Sequence, residues 1–338
     1  MTAAPARSMQ APTPASFAAP VLDIRNLVVE FPTRRGVLTA IRGIDLTIGR
    51  GEILGVVGES GAGKSLTGAA VIGLLESSGR IAAGEIHVSG RRIDRLPLRD
   101  MQRLRGRTIG AIFQDPLTSL NPLLTVGSQL TETIRVHLPL SQAEATERAI
   151  GLLKEVGIPS PELRLGQYPH QFSGGMRQRV VIALALCAEP ELIIADEPTT
   201  ALDVSIQAQI TAVLKRVCRD RGTAMMLITH DMGVIAETAD RVAVMYAGRI
   251  VELGPVAAII RDPRHPYTKG LIGSIPSLTD RCERLTQIDG AMPRLNAMPS
   301  GCAFHPRCHL AGEQCRNEQP PLMTAGASQA VCWRLERE

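Results

Sequence analysis

The sequence predicts an α/β fold around a largely parallel sheet, followed by a small irregular C-terminal extension. Three observations carry this. Short apolar runs alternate with stretches of helical periodicity up to about residue 254, the pattern left by a parallel sheet with helices on its faces. One apolar run, Glu52 to Val57, ends in a glycine-rich loop that opens a helix. Beyond Gly254, Pro and Cys become frequent and the periodicity fades. The 338 residues leave room for two domains, or for one large domain with an extension. A composition of 44% hydrophobic and 21% charged residues is ordinary for a globular protein.

The elements follow in order. Residues 1–20 are rich in Ala and Pro, carry Arg7 and lack the apolar core of a secretory signal, so they read as a disordered leader. Val21 to Phe31 alternates apolar and polar residues and reads as a strand, as does Leu38 to Ile48. Gly49-Arg50-Gly51 is a turn, and Glu52 to Val57 a short buried strand. Ser65 to Leu75, apolar on most faces and free of Pro, suits a buried helix. Ser141 to Val156 and Gly175 to Ala188 read as further helices, Leu192 to Ala195 and Ala224 to Ile228 as buried strands. Val242–Tyr246 and Arg249–Leu253 flank Ala247-Gly248, which predicts a hairpin.

Composition excludes several function classes. The longest apolar run, Val180 to Ala188, stops at Glu189, far short of the roughly 20 residues a membrane-spanning helix needs. Net charge is only +4 and aromatics are 3%, which argues against a nucleic-acid partner. The stretch Arg91–Arg107 is rich in arginine but has no interleaved aromatics, and reads as a solvated helix face. The seven cysteines are odd in number and cluster late, unlike a secreted disulfide scaffold. The default compartment is therefore the cytoplasm.

Gly58-Glu59-Ser60-Gly61-Ala62-Gly63-Lys64-Ser65 matches G-x-x-x-x-G-K-[ST] in full, after a strand and before a helix. Gly58, Gly61 and Gly63 let the backbone, with Ser60, wrap closely around phosphate, and the helix N-terminus favours negative charge. Lys64 is expected to reach the β- and γ-phosphates of a nucleotide, and the Ser65 hydroxyl to ligate Mg²⁺. Leu192 to Glu197 is an apolar strand ending in two acids. Asp196 suits the Mg²⁺ side, and Glu197 could orient and polarise an attacking water.

Further along, Phe172-Ser173-Gly174-Gly175-Met176-Arg177-Gln178-Arg179 resembles the signature sequence of ABC-type ATPases. Gln114, in Phe113-Gln114-Asp115-Pro116, resembles that family's Q-loop; Ala201-Leu202-Asp203 its D-loop; His230, after a strand, its switch histidine. Over residues 21–254 the resemblance implies an ABC-type P-loop nucleotide-binding domain, a mixed-sheet core with a helical subdomain at about 115–185. It implies ATP hydrolysis with Mg²⁺ held by Ser65, Gln114 and Asp196, and with Glu197, His230 and Gln114 as catalytic residues. It also implies that Ser173, Gly174, Gly175 and Asp203 act in trans on the ATP of a second cassette. Phe31, ending the first strand, is the candidate to stack on adenine; a core role is the alternative.

Three segments resemble the oligopeptide/dipeptide importer branch: Phe113 to Pro122, Tyr168 to Met176, and His265-Pro266-Tyr267-Thr268-Lys269. Met176 stands where the general signature has Gln, a departure familiar in that branch. The resemblance implies an ATP-hydrolysing subunit of a peptide importer, peripheral on the cytoplasmic face of the inner membrane. Its implied partners are a second, related ATPase subunit forming a heterodimer, two transmembrane permeases and an extracytoplasmic substrate-binding protein. The same motor for nickel or another small solute is the alternative. A soluble ABC ATPase of translation or repair is the rival, but it would carry two cassettes or a long coiled-coil insertion, and neither is visible. Finally, Cys302, Cys308, Cys315 and Cys332 occupy a Pro-rich segment, 255–338, and four thiolates suit a tetrahedral metal centre. Similar importer tails imply a [4Fe–4S] cluster, with zinc and free thiols or disulfides as alternatives. Cys187 reads as a core residue; Cys218 and Cys282 have no partner pattern.

Overall fold

The computed structural model describes residues 19–200, 202–274 and 287–335. The expected leader, apart from Ala19 and Pro20, lies outside these residues, as do Ala201 and Cys282. Among the described residues the strands form two sheets. In the larger, β9 (Arg241–Tyr246), β3 (Ile53–Val57), β8 (Ala224–Ile228), β7 (Leu192–Asp196) and β6 (Ile109–Ile112) lie side by side and parallel. β10 (Arg249–Pro255), β12 (Ser328–Ala330) and β11 (Met323–Ala325) extend it antiparallel beyond β9. β3 and β8 are buried along their whole length, as central parallel strands are. Their residues alternate between two cores: Ile53, Met225 and Leu227 face one, Leu54, Met226 and Ile228 the other.

The first two strands do not join this sheet. β1 (Leu22–Thr33) and β2 (Gly36–Ile48) meet at a turn in which Gly36 takes φ +125°. A connection this short allows only antiparallel pairing. With β4 (Arg80–Val88) and β5 (Arg91–Arg92) they form a four-stranded antiparallel sheet. Leu22, Ile24, Leu27 and Val29 supply its buried side. The sheet is thus mixed in architecture, and the largely parallel character is confined to five strands. The hairpin at Ala247-Gly248 closes as the sequence predicts. Both residues have positive φ, +49° and +78°, as a two-residue hairpin turn requires.

Two expected helical stretches change extent. α1 (Lys64–Val71) stops before Leu75, because Gly73 turns left-handed at φ +66°. Arg105 then donates to the exposed carbonyls of Ile72 and Gly73 at 2.8 and 2.6 Å. The arginine-rich stretch is not one solvated helix face: only α2 (Leu98–Leu104) is helical. Arg91 and Arg92 lie in β5, Arg92 pairs with Asp94 and Glu85, and Arg107 donates to the carbonyl of Ala188.

The helices α3 (Pro116–Ser119), α4 (Val126–His137), α5 (Gln142–Glu155), α6 (Pro161–Arg164) and α7 (Gly174–Leu186) fall within about 115–186. α5 opens on a capping box, Ser141 accepting from the Glu144 amide while Glu144 accepts from the Ser141 amide. Such a cap is worth about 1 kcal/mol. α8 (Val204–Arg221) and α9 (Met232–Thr238) cover the sheet nearby. Past β10 come α10 (Val256–Arg261), α11 (Pro266–Gly273) and α12 (Glu313–Asn317), and then the chain returns to the sheet in β11 and β12. Among the described residues no helix is long and apolar enough to cross a membrane.

Candidate functional site

β3 delivers the chain to Gly58, and here the loop is sterically committed to glycine. A Cβ at Gly58 would lie 2.2 Å from the Met245 carbonyl oxygen, and φ is +155°. Gly63 precedes α1 with φ +104°. Lys64 is buried, and its ammonium donates to the carbonyls of Gly58 and Glu59 at 2.7 and 3.0 Å. Burial lowers its pKa, against the pull of Glu197, Asp196 and Glu59. Its ammonium thus rests on the loop that it would leave to meet phosphate.

Ser65 Oγ donates to Asp196 Oδ1 at 2.9 Å, joining the start of α1 to the end of β7. Burial raises the Asp196 pKa, with Glu197 adding to the rise and the Ser65 hydrogen bond opposing it. One residue on, Glu197 takes φ +49°, rare for a residue with a side chain. Its carboxylate collects three partners. Gln114 Nε2 donates to Oε2 at 3.0 Å, Thr200 Oγ1 to Oε2 at 2.8 Å, and His230 Nδ1 lies 3.1 Å from Oε1. Burial pushes this carboxyl upward, yet His230 and Thr200 outweigh it, and Glu197 titrates below its ordinary value.

Lys64, Ser65, Gln114, Glu197 and His230 face one cavity of about 630 Å³. It is lined by Phe31, Ser60, Gly61, Gly63, Lys64, Ser65, Gln114, Glu197 and His230, all singled out from sequence, together with Ala40, Leu66 and Leu295. Phe31 is half-buried: part of it packs on the core and part walls the cavity. Asp196 lines an adjoining cavity of about 400 Å³ with Leu74, Leu75 and Phe113. Ser173, Gly174, Gly175 and Asp203 do not line their own chain's cavity. Ser173 caps α7, accepting from the Met176 amide, and Asp203 precedes α8. Ser173, Gly174 and Asp203 are exposed.

Cys302, Cys308, Cys315 and Cys332 are free and come together at the far end of the C-terminal segment. The Cys302 amide donates to the Cys315 carbonyl at 2.8 Å. Burial, reinforced by the other three cysteines, pushes the Cys302 thiol up to about 11. Among the described residues no set of three or more His, Cys, Asp or Glu side chains is spaced to hold a metal ion. Cys187 and Cys218 are core residues, their thiols pushed by burial up to about 11 and about 12.

Three contributors escape a reading of the sequence. Thr200 has a local signal, standing three residues after Glu197. Tyr267 and Arg307 reach the phosphate loop from more than 200 positions away. Tyr267 lies in the His265–Lys269 segment already singled out, but its contact with the loop is not legible there, and Arg307 carries no local signal.

A family model described as ABC transporter matches residues 41–200. A second, described as oligopeptide/dipeptide transporter, C-terminal region, matches residues 251–315. The chain is 50% identical over 318 residues to the oligopeptide transport ATP-binding protein OppD of Bacillus subtilis, covering 93% of this chain and 89% of that one. It is 48% identical over 315 residues to the dipeptide transport ATP-binding protein DppD of the same organism, covering 93% and 94%. To the OppD of Salmonella typhimurium it is 48% identical over 313 residues, covering 93% and 92%. Among solved structures it is similar to the dimeric bacterial ABC transporter cassette MJ0796, with a TM-score of 0.63 and 27% identity, covering 70% of this chain and 98% of that one. A dimeric post-hydrolysis state of the same cassette, bound to ADP and Pi, matches with a TM-score of 0.63 and 26% identity, covering 70% and 98%.

Proposed function

The chain belongs to the ATP-binding subunits of oligopeptide/dipeptide ABC transporters and is an ATPase that powers peptide import, and from that premise we propose how its residues divide the work. The observation that carries the reading is the convergence of Gln114, Thr200 and His230 on the Glu197 carboxylate, beside Ser65 and Asp196. The phosphates of ATP lie against the amides of Gly58 to Ser65, and Lys64 turns from the loop carbonyls to the β- and γ-phosphates. Phe31 stacks on the adenine. Ser65, Gln114 and Asp196 present oxygen donors, the ligand type Mg²⁺ takes, and would hold the ion, which when bound would supply positive charge against the transferred phosphoryl group. Glu197, held ionised and fixed in direction by its partners, accepts a hydrogen bond from the attacking water and aligns it with the γ-phosphorus. His230 contacts the γ-phosphate.

Ser173, Gly174, Gly175 and Asp203 serve a second cassette's ATP in this reading. Their absence from the lining of their own chain's cavity supports it, as do the solved relatives described as dimeric. An ATPase of this class works with membrane permeases. The adjoining cavity, with exposed Phe113 next to Gln114, is where we place their docking. The partner cassette is a related second chain, the permeases number two, and an extracytoplasmic binding protein delivers the peptide. The subunit sits peripherally on the cytoplasmic face of the inner membrane. The cassette spans 21–254 and the extension 255–338.

Glu197→Gln tests the reading. It keeps the shape of the site and removes the carboxylate. ATP-dependent dimerisation with the partner cassette is expected to persist while hydrolysis falls at least a hundredfold, the order of loss expected when a general base is removed. Unchanged turnover would sink the assignment.

Cys302, Cys308, Cys315 and Cys332 are the residues that would hold a [4Fe–4S] cluster, with zinc as the alternative occupant, although their thiols as placed are not spaced to hold a metal ion. The support is the donor chemistry alone: four free thiols in an irregular segment. A bound cluster would cross-link loops of this segment. Anaerobic purification should yield four irons and four acid-labile sulfides per chain, lost in Cys302→Ser. Zinc alone would make the centre a structural staple, and no metal would retire it.

A further inference from the structure

We infer that Arg307, from the C-terminal segment, is a positioning residue of the ATP site that holds the phosphate loop in shape through Glu59. Glu59 follows Gly58 within that loop, and its carboxylate faces Arg307 in a two-pronged pair. Nη1 donates to Oε2 at 2.8 Å and Nη2 to Oε1 at 3.0 Å. The Arg307 side chain is only 6% exposed and the Glu59 side chain 29%, so the pair is partly shielded from solvent. Its own direction is fixed from three sides. The Asp289 and Ile288 carbonyls accept from Nε and Nη2 at 2.8 and 3.1 Å. The guanidinium lies 5.9 Å from the ring centres of both Tyr246 and Phe304.

The same segment grips Glu59 a second time. The Glu59 amide donates to the Tyr267 hydroxyl at 2.8 Å. Tyr267 is fully buried, with its ring 4.7 Å from Tyr246 and 5.5 Å from Phe304. Glu59 is therefore held by side chain and by backbone, and its carbonyl in turn carries the Lys64 ammonium.

The physical need is plain. A loop containing Gly58, Gly61 and Gly63 has little stiffness of its own, and ordering its amides around phosphate costs conformational entropy. A rigid fork fixed to one loop residue removes part of that cost before the nucleotide arrives. Arg suits this better than Lys, because its planar donors match both carboxylate oxygens at once.

The inference rests on Gly58–Ser65 being the phosphate loop, and the test separates the two. MgATP affinity is measured on the full chain with a fluorescent nucleotide, and KM and kcat on the assembled transporter. Arg307→Gln is expected to raise KM on the order of tenfold, the lower end of what loss of an orienting partner costs a ligand site. Its kcat at saturating ATP should stay within about twofold, because a loosened loop weakens ground state and transition state alike. Glu59→Gln should do the same, and the double variant should be no worse than either single one, since both break one link. Arg307→Lys, which keeps charge but loses the fork, should fall between. A merely structural role would lower the active fraction and the melting temperature and leave KM alone. An unchanged KM in folded Arg307→Gln overturns the inference, as do multiplying effects in the double variant. Where Arg307→Gln fails to accumulate, Glu59→Gln decides alone, an unchanged KM again overturning it. Lys64→Ala is the control: loss of ATP binding there upholds the phosphate-loop premise, and normal binding would overturn premise and inference together.

Discussion

Glu197 shows what one residue can carry. Its left-handed backbone costs of order 1 kcal/mol for a side chain of this kind, and it persists because its surroundings over-determine it. The Glu197 amide donates to Ile228 while Gln114, Thr200 and His230 hold the carboxylate. Strain of this kind at a strand end aims a side chain that would otherwise wander. His265 shows a different use of burial. Its ring is almost fully enclosed and Nδ1 accepts from the Tyr267 amide, so burial pushes its pKa down to about 3. The unfolded chain binds this proton near pH 6.5 and the folded chain only near pH 3. Its contribution to stability is therefore complete above pH 6.5 and lost as pH falls toward 3, by up to about 1.4 kcal/mol per pH unit. His265→Asn keeps a helix cap and removes the titration. Its urea midpoint should fall less steeply between pH 7 and pH 5 than that of the unaltered chain. Equal slopes would show that His265 does not titrate this way. Neighbouring Glu252, which burial raises, pulls in the opposite direction in both chains and cancels in the difference.

At the scale of elements, what could be read in sequence was whatever is encoded locally. The buried strands Ile53–Val57 and Ala224–Ile228 announce themselves as apolar runs, and the hairpin at Ala247-Gly248 by its turn residues. Lys64, Ser65, Asp196 and Glu197 could be placed together because a phosphate loop and a strand-end acid pair leave compact signatures. Where the signal is long-range, sequence fell short. α1 ends at a local signal, the left-handed Gly73, but the partner of the carbonyls freed there is Arg105, 32 and 33 positions away, which no local window contains. α8 was not anticipated, although it spans 18 residues. Its Val, Ile and Thr residues lower a helix propensity that its Ala, Gln, Leu, Lys and Arg supply, and packing on the sheet fixes the outcome. Arg307 was hidden for the same reason: its meaning lies in Glu59, 248 positions earlier.

For the whole molecule, the antiparallel sheet formed by β1, β2, β4 and β5 packs over one core and the helices from α4 to α8 over the other. The nucleotide cavity opens where the phosphate loop, the end of β7 and residues of the C-terminal segment come together. The late segment reaches that cavity through Leu295, the phosphate loop through Arg307 and Tyr267, and the main sheet through β12. The last of these contacts has a consequence for anyone handling the protein. Glu252 and Leu253 of β10 pair with Ala330 and Gln329. A chain cut after residue 254 would bare a row of unsatisfied amides and carbonyls along β10, a ready template for strands of other molecules. Such a fragment, though it retains every nucleotide motif, is expected to self-associate. Light scattering should register oligomers growing with concentration, where the full chain gives none of that kind. A monodisperse fragment would mean that β10 needs no cover. The returning C-terminus is, in this sense, a guard against aggregation.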